Sequence, residues 1–278
     1  MFLDAYLDRV PGAAQSGVGV DDVHRADWIL IGHSHFDHLF GAERIAVRTG
    51  ATVIGSYETV RVLSDAGVPQ KQLVAVSGGE RIELDATTSV RVLPGLHACA
   101  WSDRPVPEVD ELCVGDLEVG WHERTRRLNQ RFWPSLQTLG EDVRDHVDHA
   151  AAMGDRGDGG VLIYIIDTSE GTLLFQDTVG CWSSLLARER VDVAVLAAAG
   201  RGNLDGEPVQ GSTADFVASQ AGWLHARRVI CCHHDDWLPG LSAATDTAPI
   251  RRALATTNGA ELVDLPYASA YPIFAGLG

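Results

Sequence analysis

The chain has 278 residues, 45% of them hydrophobic and 22% charged, the balance of a folded protein with a sizeable core and not of a disordered one. Its 22 Lys and Arg stand against 38 Asp and Glu, a formal net charge of −16. A field of that sign repels nucleic acid and anionic membrane surfaces and sets both aside as partners. No apolar run approaches the roughly 18–20 residues of a membrane span, and the N-terminus, with Asp4 and Asp8, lacks the basic region of a signal peptide. Five cysteines, two of them adjacent at Cys231 and Cys232, do not make a disulfide framework. Free thiols and a cytoplasmic location are expected.

In chain order, the first clear strand is Asp27–Ile31, an apolar run ending at Gly32. It leads straight into His33-Ser34-His35-Phe36-Asp37-His38. Leu39–Thr49 reads as a helix, Thr52–Ile54 as a strand and Glu58–Ala66 as a second helix stopped by Gly67 and Pro69. Short strands follow at Leu73–Val76, Arg81–Leu84 and Ser89–Leu93. From 106 to 160 the chain is rich in charge, and Leu128, Phe132, Leu136, Leu139, Val143 and Val147 recur at roughly helical spacing, interrupted by Pro134. This reads as a mostly helical insertion in a single domain of 1–278, closing on a turn-rich linker at 154–160. Val161–Ile166 and Leu173–Phe175 then flank a turn at Ser169, Glu170 and Gly171, a hairpin signal. The remainder alternates: helix Ser183–Arg190, strand Val193–Leu196, helix Ala214–Trp223, strand Arg228–Cys232, helix Pro249–Thr257 and strand Glu261–Leu265. Both halves mix strands and helices, as an α/β-layered sandwich does.

The chemistry concentrates in one hexapeptide. Side chains two apart on an extended segment point the same way, so His33 and His35 converge on one ion. Asp37 and His38 sit at a turn and face a second. Imidazole and carboxylate suit Zn²⁺ and related borderline ions. Elsewhere, His146 and His149 lie three apart on a predicted helix beside Asp142 and Asp145, a spacing compatible with a second metal site but read first as a solvated face. Trp101, Trp182 and Trp237 are candidates for an apolar pocket wall. No cysteine has the context of a nucleophile, and no phosphate-binding glycine loop is present.

His33-Ser34-His35-Phe36-Asp37-His38 resembles the His-x-His-x-Asp-His signature of the metallo-β-lactamase superfamily, and the resemblance extends from Asp27 to the C-terminus. It implies an αββα sandwich, two mixed sheets flanked by helices, with a metal site, often of two metals, at one sheet edge. It also implies three later ligands, each just past a strand: His97 in LPGLHA, Asp177 in FQDTVG and His233 in CCHHDDW. Asp177 competes with Asp167 across the same hairpin, and Gln176 stands where such proteins usually carry glycine. His233 competes with His234, which would then line the pocket and donate to an oxyanion. By the resemblance, His33, His35 and His97 hold one ion, Asp37, His38 and His233 the other, and Asp177 bridges them. Asp37 additionally orients the water between them, and Asp235 and Asp236 are candidate supports for the ligands.

Such proteins place a hairpin or more before the signature strand, whereas only Met1 to Ala26 precede it here. The first strand or two are expected to be missing, leaving a sheet edge that invites a homo-oligomer. The implied function is a metal-dependent hydrolase, with two divalent ions, zinc first and Mn²⁺ or Fe²⁺ as substitutes, cleaving an ester, lactone or phosphoester of a small molecule through a metal-bridging hydroxide. The short HSHFDHL loop and the HHDDW ending are most similar to the ascorbate-6-phosphate lactonase-like branch. The alternatives are a mononuclear iron redox protein of the persulfide dioxygenase kind and a non-catalytic metal-stabilised binding module.

Overall fold

Residue alternation along the strands builds two faces onto each sheet. In the computed structural model, which describes residues 1–105, 108–152 and 158–277, the first sheet runs β1 (Phe2–Leu3), β2 (Trp28–Leu30), β3 (Thr52–Gly55) and β4 (Leu73–Ala75) in that order. All its pairings are parallel, and a parallel return needs a crossover. Helices supply two of these: α1 (Phe36–Leu39) and α2 (Ala42–Thr49) between β2 and β3, and α3 (Tyr57–Asp65) between β3 and β4. Ile29, Ile31 and Val53 face those helices and pack with Leu39, Ile45, Val62 and Leu63. Leu30 and Ile54, one residue out of step, face the other way.

The second sheet carries β5 (Arg81–Glu83), β6 (Ser89–Pro94), β7 (Leu162–Asp167), β8 (Thr172–Gln176), then, beyond a two-residue strand β9 (Gly180–Cys181), β10 (Val193–Ala197). Two further short strands, β11 (Asn203–Leu204) and β12 (Glu207–Pro208), join β9 in a small sheet of their own. The strands β13 (Arg228–Cys232) and β14 (Glu261–Val263) complete the large sheet in the order β14-β13-β10-β8-β7-β6-β5. Leu162, Tyr164, Ile166 and Phe175 meet Leu30 and Ile54 between the sheets. Ile163, Ile165 and Leu174 point outward, beneath α7 (Ser183–Leu186), α8 (Thr213–Trp223) and α9 (Ala248–Thr257). The layers are therefore helix, sheet, sheet, helix, as the sequence predicts.

Strand direction decides where the site forms. β6 and β8 are each antiparallel to β7, and β13 runs parallel to β10, which is parallel to β8. Thus β6, β8 and β13 all end at the same sheet edge. β2 is fastened there too, because the buried Tyr164 hydroxyl donates to the carbonyl of Ile31 at 2.8 Å and Leu162 N donates to that of Gly32 at 2.8 Å.

Several elements differ from expectation. The helix expected over Leu39–Thr49 is two, parted at Phe40 and Gly41, and the one expected over Ser183–Arg190 ends at Leu186. Phe2–Leu3 forms an edge strand on β2. In the insertion, α4 (Trp121–Arg127), a π turn (Leu128–Phe132), α5 (Trp133–Leu136) and α6 (Glu141–Ala151) are helical, whereas residues 108–120 are not. The linker expected at 154–160 falls largely outside the described residues. Leu139 and Val143 are buried against Val10, Ala13 and Leu238, so the insertion docks on both the N-terminal segment and the loop after β13.

A buried ion network ties down the non-helical part. Arg201, 2% exposed, donates to Asp116 Oδ2 at 2.7 Å and to Ser102 Oγ at 2.8 Å, while Arg127 reaches Asp116 Oδ1 at 2.8 Å. Burial pushes the Asp116 carboxyl up, but Ser102, Arg127, the Asp103 amide and Arg201 outweigh it and hold it well below the usual carboxylate range. Asp116→Asn leaves the Arg201 guanidinium buried without its counter-charge, and is expected to cost about 3–5 kcal/mol of stability at neutral pH. The folded carboxyl titrates below its unfolded value, so the wild-type advantage is complete above about pH 4 and is lost as the pH falls further. Denaturant unfolding of both proteins at pH 7 and pH 3 reads this directly, and equal stabilities at pH 7 would contradict it.

Candidate metal centre

Residues from four strand ends meet at the shared edge. His33, His35 and His97 bring one ring nitrogen each to within 4.8 Å of one another; so do His33, His38 and Asp177, and so do Asp37, His38 and His233, counting one donor atom per residue. The seven residues expected as ligands are therefore assembled in three overlapping groups. The ring centroids of His97 lie 5.0 Å from His33 and 4.8 Å from His35, and that of His233 lies 5.2 Å from His38. Asp167 is elsewhere, bonded to Arg91 and Thr172.

Local backbone explains the convergence. α1 begins at Phe36, so Asp37 and His38 leave the extended path of His33 and His35 and turn toward β13. Asp177, 1% exposed, presses against Gly32, where any side chain would overlap its carboxylate. His233 adopts a left-handed backbone with φ of 49°, a conformation that costs a non-glycine residue free energy and is retained where a site needs it. Its Nε2 lies 3.1 Å from Asp37 Oδ2.

The electrostatics fit a cation. Burial, and secondarily the charge of His38, lowers His33 to about 4, so its ring is neutral at pH 7. Burial likewise pushes His35 well below its ordinary value, with His33 and His97 adding to it. In the tautomer that donates Nδ1–H to Asp177 Oδ2 at 2.6 Å, His33 turns its Nε2 lone pair toward His35 Nδ1, 3.0 Å away. Burial favours protonation of Asp37 and Asp177, but neighbouring histidines outweigh it and hold both carboxyls down. Asp177 Oδ1 is buried with no hydrogen-bond partner. The neutral rings of His33 and His35, two ionised carboxylates and an orphaned carboxylate oxygen suit a divalent cation.

Sequence reasoning missed one member. Asp4 Oδ2 lies 2.7 Å from His38 Nδ1, and Asp4 Oδ1 accepts from the Gly32 amide at 3.0 Å. Its φ is 57°, so the chain bends sharply just after β1 to bring the carboxylate in. Asp4 directs Nδ1–H of His38, leaving Nε2 toward Asp37, 3.4 Å away. The signal was an acid directly after an apolar pair, too short to identify without its tertiary partner. The expected supports, Asp235 and Asp236, instead bond Arg9 and Ser242.

His234 stands outside the three groups. Its Nδ1 is buried and unpartnered, and burial lowers its affinity for a proton. His146 and His149 are not simply solvated: both rings stand edge-on to Phe40, and His146 Nε2 lies 3.2 Å from the Tyr6 hydroxyl. Of the three tryptophans, Trp237 flanks the site, 4.9 Å from the His233 ring, while Trp101 packs under Arg124 and Trp182 is exposed. All five cysteines are free. Burial pushes Cys99, Cys181 and Cys231 up to about 12, so none of these is a thiolate nucleophile at neutral pH.

Residues 1–115 match the family described as "Beta-lactamase superfamily domain". A solved metallo hydrolase from Ignicoccus hospitalis superposes with a TM-score of 0.53 at 14% identity, covering 88% of this chain and 78% of that one. A metallo-β-lactamase fold protein from Bacillus subtilis gives 0.50 at 10% identity, with 90% and 77% covered. The chain has the metallo-β-lactamase fold. A diiron β-hydroxylase from Streptomyces venezuelae shares it, with a TM-score of 0.53 at 17% identity over 92% of this chain and 47% of that one. Among curated relatives, a UPF0173 metal-dependent hydrolase of Pyrobaculum arsenaticum is 34% identical over 31% of this chain and 37% of its own length. Another, of Methanopyrus kandleri, is 31% identical over 44% and 47% respectively. The matches thus span less than half the length of these curated relatives. No helix among the described residues is long and apolar enough to cross a membrane.

Within this metallo-β-lactamase fold, Asp4 orients His38 without itself belonging to the three groups. Asp4→Asn is expected to weaken divalent-cation binding about 10–100-fold with little change in secondary structure. Titration with Zn²⁺ against a competing chelator measures this, and unchanged affinity would remove Asp4 from the centre.

Proposed function

We propose that this protein is a metal-dependent hydrolase that binds two divalent ions, zinc in the first instance, and opens an ester, lactone or phosphoester bond of a small molecule. The observation that carries the reading is the meeting of five histidines and two aspartates from four strand ends, with one buried Asp177 oxygen left without a partner. The relatives named as metal-dependent hydrolases support the same chemistry. His33, His35 and His97 would hold one ion, and Asp37, His38 and His233 the other, with Asp177 shared. Bound there, such ions supply Lewis-acid activation of water and polarisation of the substrate's carbonyl or phosphoryl oxygen.

The chain's own groups then do the following. Asp37, held ionised by His38 and His233, accepts a proton or hydrogen bond at Oδ2 and so orients the attacking water. Asp177 and Asp4 keep the His33 and His38 rings in fixed orientations. His234, beside His233 and held neutral by burial, is the candidate donor to the developing oxyanion. Phe36 and Trp237, with ring centroids 6.2 Å apart, wall the His233 side and favour an apolar substituent there. The ascorbate-6-phosphate lactonase-like branch is the specific comparison to test first.

Metal analysis of protein purified without chelators, followed by a screen of lactones, phosphodiesters and thioesters, tests the reading. About two zinc-like ions per chain are expected, with hydrolysis that falls at least about 100-fold in His35→Ala. About one iron per chain with a paramagnetic signal would overturn it in favour of redox chemistry, which this fold also hosts. Metal binding with no hydrolysis of any ester would leave a metal-stabilised binding module instead.

A further inference from the structure

His97 lies three residues beyond β6, in a loop that the neighbouring strands hold from several sides. Gly95 N donates to Val161 O, Leu96 N to Gly180 O, Ala98 N to Thr178 Oγ1 and Cys99 N to Arg201 O. Among the described residues, the one hydrogen bond to the backbone of His97 itself comes from Asn203, whose Nδ2 donates to the His97 carbonyl at 2.9 Å. Asn203 is carried there by the β11–β12 hairpin, which closes through Asp205 and Gly206 with φ of 56° and 96°, both left-handed, as a tight two-residue hairpin turn requires. β11 pairs with β9, and Asn203 N donates to Val179 O at 2.9 Å, two residues beyond Asp177. One asparagine therefore links the loop of His97 to the segment that leaves Asp177.

The rest of the amide shows what it is kept for. Asn203 Oδ1 is buried and accepts from no described residue, and a stranded buried acceptor costs about 1–3 kcal/mol. A residue retained for packing alone would avoid that cost. Turning the amide over would set its oxygen against the His97 carbonyl. His97 Nδ1 lies 2.9 Å from Ala98 O, so the tautomer that donates there leaves Nε2 free to act as a ligand toward His33 and His35.

We propose that Asn203 is a positioning residue for the metal centre, holding His97 in register with His33 and His35 from the Asp177 side. The inference rests on the metal-dependent reading above. The test is cobalt titration of the whole protein, followed by the visible absorption of each bound ion, in the parent, Asn203→Leu, Asn203→Ser, His97→Ala and His233→Ala. In both Asn203 variants one of two cobalt affinities is expected to fall about 10–100-fold. The weakened ion should have the spectrum lost in His97→Ala, while the one lost in His233→Ala keeps its parental affinity. Unchanged affinities, or an equal fall in both, would overturn the proposal and leave the metal-centre reading standing. Asn203 variants that fail to fold without metal would assign the residue to the fold and overturn it as well. A parent that takes up no cobalt would overturn the metal-centre reading itself, and this proposal with it.

Discussion

The Asp177 carboxylate, enclosed on every side, is the constraint on which the site depends. It lies 2.6 Å from His33 Nδ1 and 3.3 Å from His38 Nδ1, both on the segment after β2, while its own backbone continues β8 of the other sheet. The contact therefore bridges the two sheets at their common edge. It is available only because position 32 carries no side chain. A charge this deeply buried needs compensation, and the two histidines provide it at Oδ2, with Oδ1 left without a hydrogen-bond partner.

The same requirement reaches the beginning of the chain. Burial pushes the His38 ring toward the neutral form, yet Asp37, Asp4 and Asp177 together raise it well above its ordinary value. Burial raises Asp4 to about 6 despite the opposing attraction of His38. Three carboxylates around one imidazole concentrate negative charge in a region with few water contacts. A divalent cation is the natural counter-charge for such a group. The short strand β1 and the left-handed bend at Asp4 are the backbone's contribution to this arrangement.

Around that centre, the surrounding walls come from distant parts of the chain. The segment with Val10 and Ala13, the insertion with Leu139 and Val143, and the loop with Trp237 and Leu238 share one small core. Tyr6 joins α1 to α6 through Phe36 and His146. The wall beside His233 is thus braced by the segment that carries Leu139 and Val143, which packs against Leu238 and Trp237. The small sheet of β9, β11 and β12 does the equivalent on the His97 side.

The sequence by itself determined the layers and the first half of the site. The short apolar runs at Asp27–Ile31 and Val161–Ile166, and the helix read at Ala214–Trp223, depend on neighbours a few residues apart, so those elements formed as read. The hexapeptide His33–His38 was legible for the same reason, since strand geometry and the turn at Phe36 are local. The resemblance already favoured Asp177 over Asp167, whereas that Asp4 orients His38 and that Asn203 bonds the His97 carbonyl were decided only in the tertiary structure. Each depends on strand order, on which strand ends share an edge, and on close approaches between residues more than 25 apart in the chain. Those are set by the packing of two sheets and not by any local pattern, and two-residue strands such as β1 and β11 carry too little periodicity to announce themselves.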